Sequence, residues 1–143
     1  MQADFPDLTL QVPATDADET MLQRAEPTSY PTSSLKQLPA DWQQKAFTPN
    51  NGEYQLAPQF RSLVQFRQAD IRVDQPAELF SLILCRNLVF TYSDEPLQRQ
   101  VLARLSERLL LGGYWVTDKH KSLPTSTTGL VPALVRLKFF PLD

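Results

Sequence analysis

The chain has 143 residues, 42% of them hydrophobic and 21% charged, with a net charge of −2. That length suits one ordinary domain, and that balance excludes an intrinsically disordered chain. Fourteen Lys+Arg against 16 Asp+Glu, with no cationic cluster, argue against a nucleic-acid binder. The single Cys excludes an intramolecular disulfide, and one Cys with one His argues against a structural zinc site. The four glycines (Gly52, Gly112, Gly113 and Gly129) include no G-x-G, so a complete Gly-rich nucleotide fingerprint is absent. No run reaches about 18 apolar residues, and the N-terminus has neither a positive region nor an apolar one. The chain therefore reads as cytoplasmic, with no membrane insertion.

Leu8-Thr9-Leu10-Gln11-Val12 alternates as a half-buried strand does and runs into Pro13-Ala14-Thr15-Asp16. A helix is expected next, because Asp16 and Glu19 have capping-box spacing, with Met21, Leu22 and Ala25 as its apolar face. Residues 26–34 are rich in Pro, Ser and Thr and read as a loop. Short helical pieces are expected at Ser34–Leu38 and Pro39–Ala46, with Trp42 and Phe47 as the anchor to the core. Asn50-Asn51-Gly52 is a turn signal and predicts a hairpin near 47–57.

Leu63–Arg67 reads as a strand ending at Ala69-Asp70. Phe80–Cys85 is almost continuously apolar, the pattern of a parallel strand covered on both faces, and it ends at Arg86-Asn87. Asp94 is the expected N-cap of a helix to Leu111 with a Leu97/Val101/Leu105/Leu109 stripe, closed by Gly112-Gly113. Arg99, Arg104 and Glu107 lie off that stripe. Tyr114–Thr117 reads as a strand. So does the end of the chain, where Val135, Leu137 and Phe139 alternate with Arg136 and Lys138.

This order is an α/β pattern with a mainly parallel sheet. Ligands in such sheets bind beyond the carboxyl ends of strands, where Asp16, Asp70 and Arg86-Asn87 fall. Polar residues at these points also simply mark where a strand leaves the core.

Taken together, several segments resemble the CheR family of S-adenosylmethionine-dependent chemotaxis receptor methyltransferases. They are Ala14-Thr15-Asp16-Ala17-Asp18, Tyr30 with Ser33–Pro39, and Val64-Gln65-Phe66 before Asp70. Phe80–Asn87 is similar to the family's F-D-L-I-x-C-R-N, Asp94–Leu102 to its D-E-P-x-Q-x-x-v-L, and Gly112-Gly113-Tyr114 to its P-G-G-Y. The resemblance covers roughly residues 8–124. It implies S-adenosylmethionine as cofactor and methyl transfer to a protein glutamate in bacterial chemotaxis signalling.

By the same resemblance, Asp16 takes the cofactor's ribose hydroxyls, and Asp70-Ile71 lie beside the adenine. Cys85-Arg86 line the pocket, and Arg86 and Tyr92 stand at the reacting end. On the residues alone, Asp16 is equally a helix cap, Arg86 an ion-pair partner, Cys85 a buried core thiol and His120 a surface residue.

The family's first strand, glycine loop and following helix precede the position of Leu8, where this chain has seven residues and no glycine. The expectation is therefore a single partial domain over 1–143. Its fold is a truncated Rossmann-like class I methyltransferase sheet lacking its first strand and glycine loop. The isolated chain is expected to be inactive, with no cofactor bound as one outcome. The alternative is a non-catalytic protein-interaction module. The candidate partners are a receptor or signalling protein and a second copy of the chain.

Overall fold

A computed structural model describes residues 9–85, 93–117, 123–124, 129–130 and 139–141. The chain divides into two compact units, Met1–Asp70 and Ile71–Asp143.

The first unit begins with β1 (Val12–Asp16), which pairs in parallel with β5 (Val64–Gln68) from Val12↔Val64 to Asp16↔Gln68. The strand lies four residues beyond its expected start at Leu8 and passes through Pro13. The ladder explains why this is tolerated. The Val12 N–H donates to Leu63 O at 2.9 Å, so the absent Pro13 N–H falls on the other edge.

Helix α1 (Glu19–Ala25) starts from Asp18, not Asp16, and buries Leu22, whereas Met21 stays exposed. β2 (Ser29–Pro31) is followed by a 3-10 turn, Thr32–Leu35, and by α2 (Ala40–Ala46). The expected anchor is corrected here. Trp42 is 60% exposed, and Leu35 is the buried residue of this stretch. Gln43 donates from Nε2 to Leu35 O at 2.7 Å and to Leu38 O at 2.8 Å, so a polar clamp fixes α2 on its 3-10 neighbour. Phe47 instead meets Tyr30 edge to face, with ring centroids 5.8 Å apart.

The hairpin forms as the Asn-Gly signal predicts. β3 (Phe47–Asn50) and β4 (Glu53–Leu56) flank Asn51 at φ 48° and Gly52 at φ 83°, both in the positive region that such a turn requires. β2 adds to β4, which gives an antiparallel sheet of order β2-β4-β3. A short helix, α3 (Pro58–Arg61), leads into β5.

In the second unit, β6 (Phe80–Leu84) runs parallel to β7 (Leu109–Val116), and β8 (Phe139–Pro141) adds antiparallel to β7. Between them, α4 (Glu95–Ser106) is capped by Asp94, whose Oδ1 accepts the Leu97 N–H at 3.0 Å. Val101, Leu102 and Leu105 of α4 form one buried cluster with Cys85, Leu109 and Trp115, and Ile71, Ile83 and Leu97 pack against it.

Two expectations change. α4 ends at Ser106, and Leu109 already belongs to β7, so Gly112-Gly113 lie inside a strand and do not close the helix. The turn closes without glycine, through Glu107 N–H to Ala103 O and Arg108 N–H to Leu105 O. In addition, β6 is covered on one face. Ile83 packs on the cluster, while Leu82 and Leu84 are 48% and 65% exposed. Alternation along the strand sends successive side chains to opposite faces, and α4 covers only one. Residues 135–138 of the expected last strand lie outside the described residues.

Candidate functional site

The parallel pairing of β1 and β5 brings two carboxylates to neighbouring strand ends. Asp16 closes β1, and the Ala69 N–H donates to Asp16 O at 3.0 Å, just before Asp70. Both aspartates are half-buried. Carboxyl ends of parallel strands are where α/β sheets take ligands.

Asp16 uses one oxygen within the fold, since Oδ1 accepts the Asp18 N–H at 2.9 Å. Oδ2 has no partner among the described residues. The helix cap belongs to Asp18, whose Oδ1 accepts the Thr20 N–H at 2.8 Å. The two roles that the sequence left open for Asp16 are thus divided between two residues two positions apart. A half-buried carboxylate with one oxygen to spare accepts hydroxyl donors, which is the chemistry a ribose diol asks for. The first unit's residues therefore fit that part of an adenosyl cofactor.

In the second unit, Ile71 packs against the buried cluster and Cys85 lies within it at the end of β6. Burial pushes the Cys85 thiol up from 9.0 to about 11. It is consequently a neutral thiol near pH 7 and not a nucleophile. Arg86, Tyr92 and His120 lie outside the described residues. No group of three or more His, Cys, Asp or Glu among the described residues could hold a metal ion. No helix among them is long and apolar enough to cross a membrane.

Sequence reasoning missed Arg104. It treated this side chain as lying off the apolar stripe of α4, whereas the guanidinium turns back onto residues 71–73. Nη2 donates to Ile71 O at 2.7 Å and to Arg72 O at 2.5 Å, and Nη1 donates to Val73 O at 3.2 Å. An Arg on a helix flank carries no local signal that it will bind a loop more than 30 residues earlier in the chain.

Residues 1–132 match the family described as CheR methyltransferase, SAM binding domain. A chemotaxis protein methyltransferase of Listeria monocytogenes is 30% identical over 100 residues, which are 70% of this chain and 38% of that protein. Chemotaxis protein methyltransferase 2 of Pseudomonas aeruginosa is 33% identical over 127 residues, 81% of this chain and 45% of the relative. A protein of that same name from Vibrio cholerae is 32% identical over 118 residues, 80% of this chain and 41% of the relative. The chain thus spans less than half the length of these relatives.

Proposed function

The chain belongs to the CheR methyltransferase family, and we propose that it acts in methyl transfer from S-adenosylmethionine to a glutamate of a chemotaxis receptor or related signalling protein, in the cytoplasm. The observation that carries this reading is the β1–β5 pairing, which sets Asp16 and Asp70 at adjacent strand ends. Asp16 would accept the ribose hydroxyls through the oxygen that Asp18 leaves open. Asp70 and Ile71 beside the adenine and Cys85 along the cofactor are proposed from their match to the family's segments. Arg86 and Tyr92 are proposed at the reacting end from their match to the family's segments. When bound, S-adenosylmethionine supplies an electrophilic methyl group for a carboxylate oxygen. The protein's part is mainly positioning and exclusion of water, since such a transfer needs alignment more than an acid or base.

Titration with S-adenosylhomocysteine, followed by backbone amide NMR, tests the cofactor reading. Shifts that start at Asp16, Asp70 and Ile71 and saturate support it. No shift at millimolar ligand overturns it for this chain.

A second reading is favoured by the antiparallel sheet β2-β4-β3, whose edge strands, β2 and β3, each have one strand partner among the described residues. A strand edge is a template for an extended peptide, so this sheet suits a protein-interaction module. A homodimer belongs to the same class of proposal. β6 has only β7 as strand neighbour among the described residues, and its Phe80–Leu84 segment carries no charge to deter pairing. Sedimentation mass tests the homodimer, and amide shifts confined to β2 and β3 on adding receptor-tail peptide test the module.

A further inference from the structure

Two hydrogen bonds grip opposite ends of one peptide group in the first unit. The Ala17 carbonyl accepts from Gln68 Nε2 at 3.2 Å, and the Asp18 N–H of that same peptide donates to Asp16 Oδ1 at 2.9 Å. A peptide group is planar, so fixing its carbonyl fixes where its N–H points. A bond at the carbonyl also strengthens the N–H as a donor, because hydrogen bonds in a chain polarise one another. Gln68 reaches this peptide because it is the register partner of Asp16 on β5. The next N–H of the segment, that of Ala69, holds the Asp16 carbonyl at 3.0 Å. Asp16 is therefore held through its main chain by Ala69 and through its side chain by Asp18. Every group in this set belongs to the unit Met1–Asp70. Oδ2 is the one carboxylate oxygen that these bonds leave open.

From this chain of bonds we infer that Gln68 is a positioning residue for ribose recognition: through the Ala17–Asp18 peptide it sets the Asp16 carboxylate so that Oδ2 meets the diol in one orientation. The inference rests on the cofactor reading above, and within it only on Asp16 and the ribose. Gln68 itself touches no ligand in this account. A carboxylate oxygen takes hydroxyl donors along its lone pairs, so the value of each bond to the diol depends on where the carboxylate is turned. A ligand without those hydroxyls is indifferent to that orientation. Preference for the diol is then the quantity that Gln68 controls.

The test compares S-adenosylhomocysteine with its 2′,3′-dideoxy analogue by NMR titration of the 143-residue chain. Gln68→Leu and Gln68→Glu are titrated alongside, with thermal unfolding of each. Gln68 is exposed, so both variants are expected to fold. The unaltered chain should prefer the ligand with the diol by about tenfold. In Gln68→Leu that ratio should fall by about threefold, because the donor to Ala17 O is lost. In Gln68→Glu it should fall further, because an acceptor then opposes the Ala17 carbonyl. Without ligand, the Asp18 amide proton should exchange with solvent faster in both variants than in the parent, as its bond to Asp16 Oδ1 loosens. A residue that only stabilised the unit would lower both affinities together and leave their ratio alone. An unchanged ratio, or a lower ratio with unchanged exchange at Asp18, overturns the inference and leaves the cofactor reading standing. Absence of binding, or of preference for the diol, in the unaltered chain overturns the reading of Asp16 as the ribose acceptor and the inference with it.

Discussion

Asp16 and Asp18 are joined by one hydrogen bond, from the Asp18 N–H to Asp16 Oδ1 at 2.9 Å, and only Asp18 goes on to cap α1. Their substitutions should therefore separate. Asp18→Ala loses the cap and should cost roughly 0.5–2 kcal/mol. Asp16→Asn retains an oxygen for the Asp18 N–H, so its stability should change by less than about 0.5 kcal/mol. The amide nitrogen that replaces Oδ2 is a donor, and facing ribose hydroxyls it should lower S-adenosylhomocysteine affinity. Thermal unfolding and NMR titration of the pair would check this. A loss of stability in Asp16→Asn greater than that in Asp18→Ala would reassign the cap.

Leu105 lies in the buried cluster of the second unit, whereas Leu111, two residues into the β7 strand from Leu109, is 78% exposed. Leu105→Ala should cost about 2–5 kcal/mol from lost transfer energy and the cavity left behind. Leu111→Ala should cost less than about 0.5 kcal/mol. Urea unfolding of both variants measures the contrast. Equal costs would mean that the apolar stripe of α4 is not the core face.

Local signals in the sequence were legible where one residue type decides the geometry. Asn51-Gly52 predicted the hairpin, and Asp94 predicted the start of α4, because positive φ and an N-cap are chemical requirements of single positions. The start of β1 was not legible, since Pro13 reads as a breaker until the ladder shows which edge its nitrogen occupies. Trp42 looked like an anchor because large aromatics usually bury area, yet it is Leu35 that the stretch from the 3-10 turn through α2 buries. The acidic strand ends were legible from the sequence, and the clamp from Arg104 was not, since it joins positions over 30 residues apart through backbone carbonyls that have no residue-type signature.

Gly113 should be the less replaceable of the two adjacent glycines on packing grounds. A Cβ there would meet Leu110 O at 2.7 Å and the Leu109 side chain at 3.0 Å. The first of these is backbone, which cannot swing aside, so Gly113→Ala should cost roughly 1–3 kcal/mol. Gly112→Ala meets no atom within 4 Å, but its φ of +75° is strained for any side chain and should cost about 1–2 kcal/mol. The two mechanisms part in Gly112→Asn, since Asn tolerates positive φ and should recover stability there, whereas Gly113→Asn should be worse than Gly113→Ala. Chemical denaturation of the four variants gives the comparison.

Cys85 links burial to pH. Its thiol titrates near 11 in the folded chain, pushed up from 9.0 by burial. A pKa raised on folding means that the folded state holds the proton more tightly than the unfolded state does. The stabilisation this provides is complete below about pH 9 and is lost as pH rises through about 11. Cys85→Ala removes the titrating group and also some packing. The variant should therefore be less stable than the parent at about pH 8, with the gap narrowing between about pH 9 and pH 11. Taking the difference between parent and variant cancels the lysines and tyrosines that titrate in the same window. Alkylation should agree: at about pH 8 the thiol should react with iodoacetamide much more slowly in the folded chain than in urea. A stability gap that stays constant across that window, or equal alkylation rates in the two states, would place Cys85 in contact with solvent and remove it from the buried cluster.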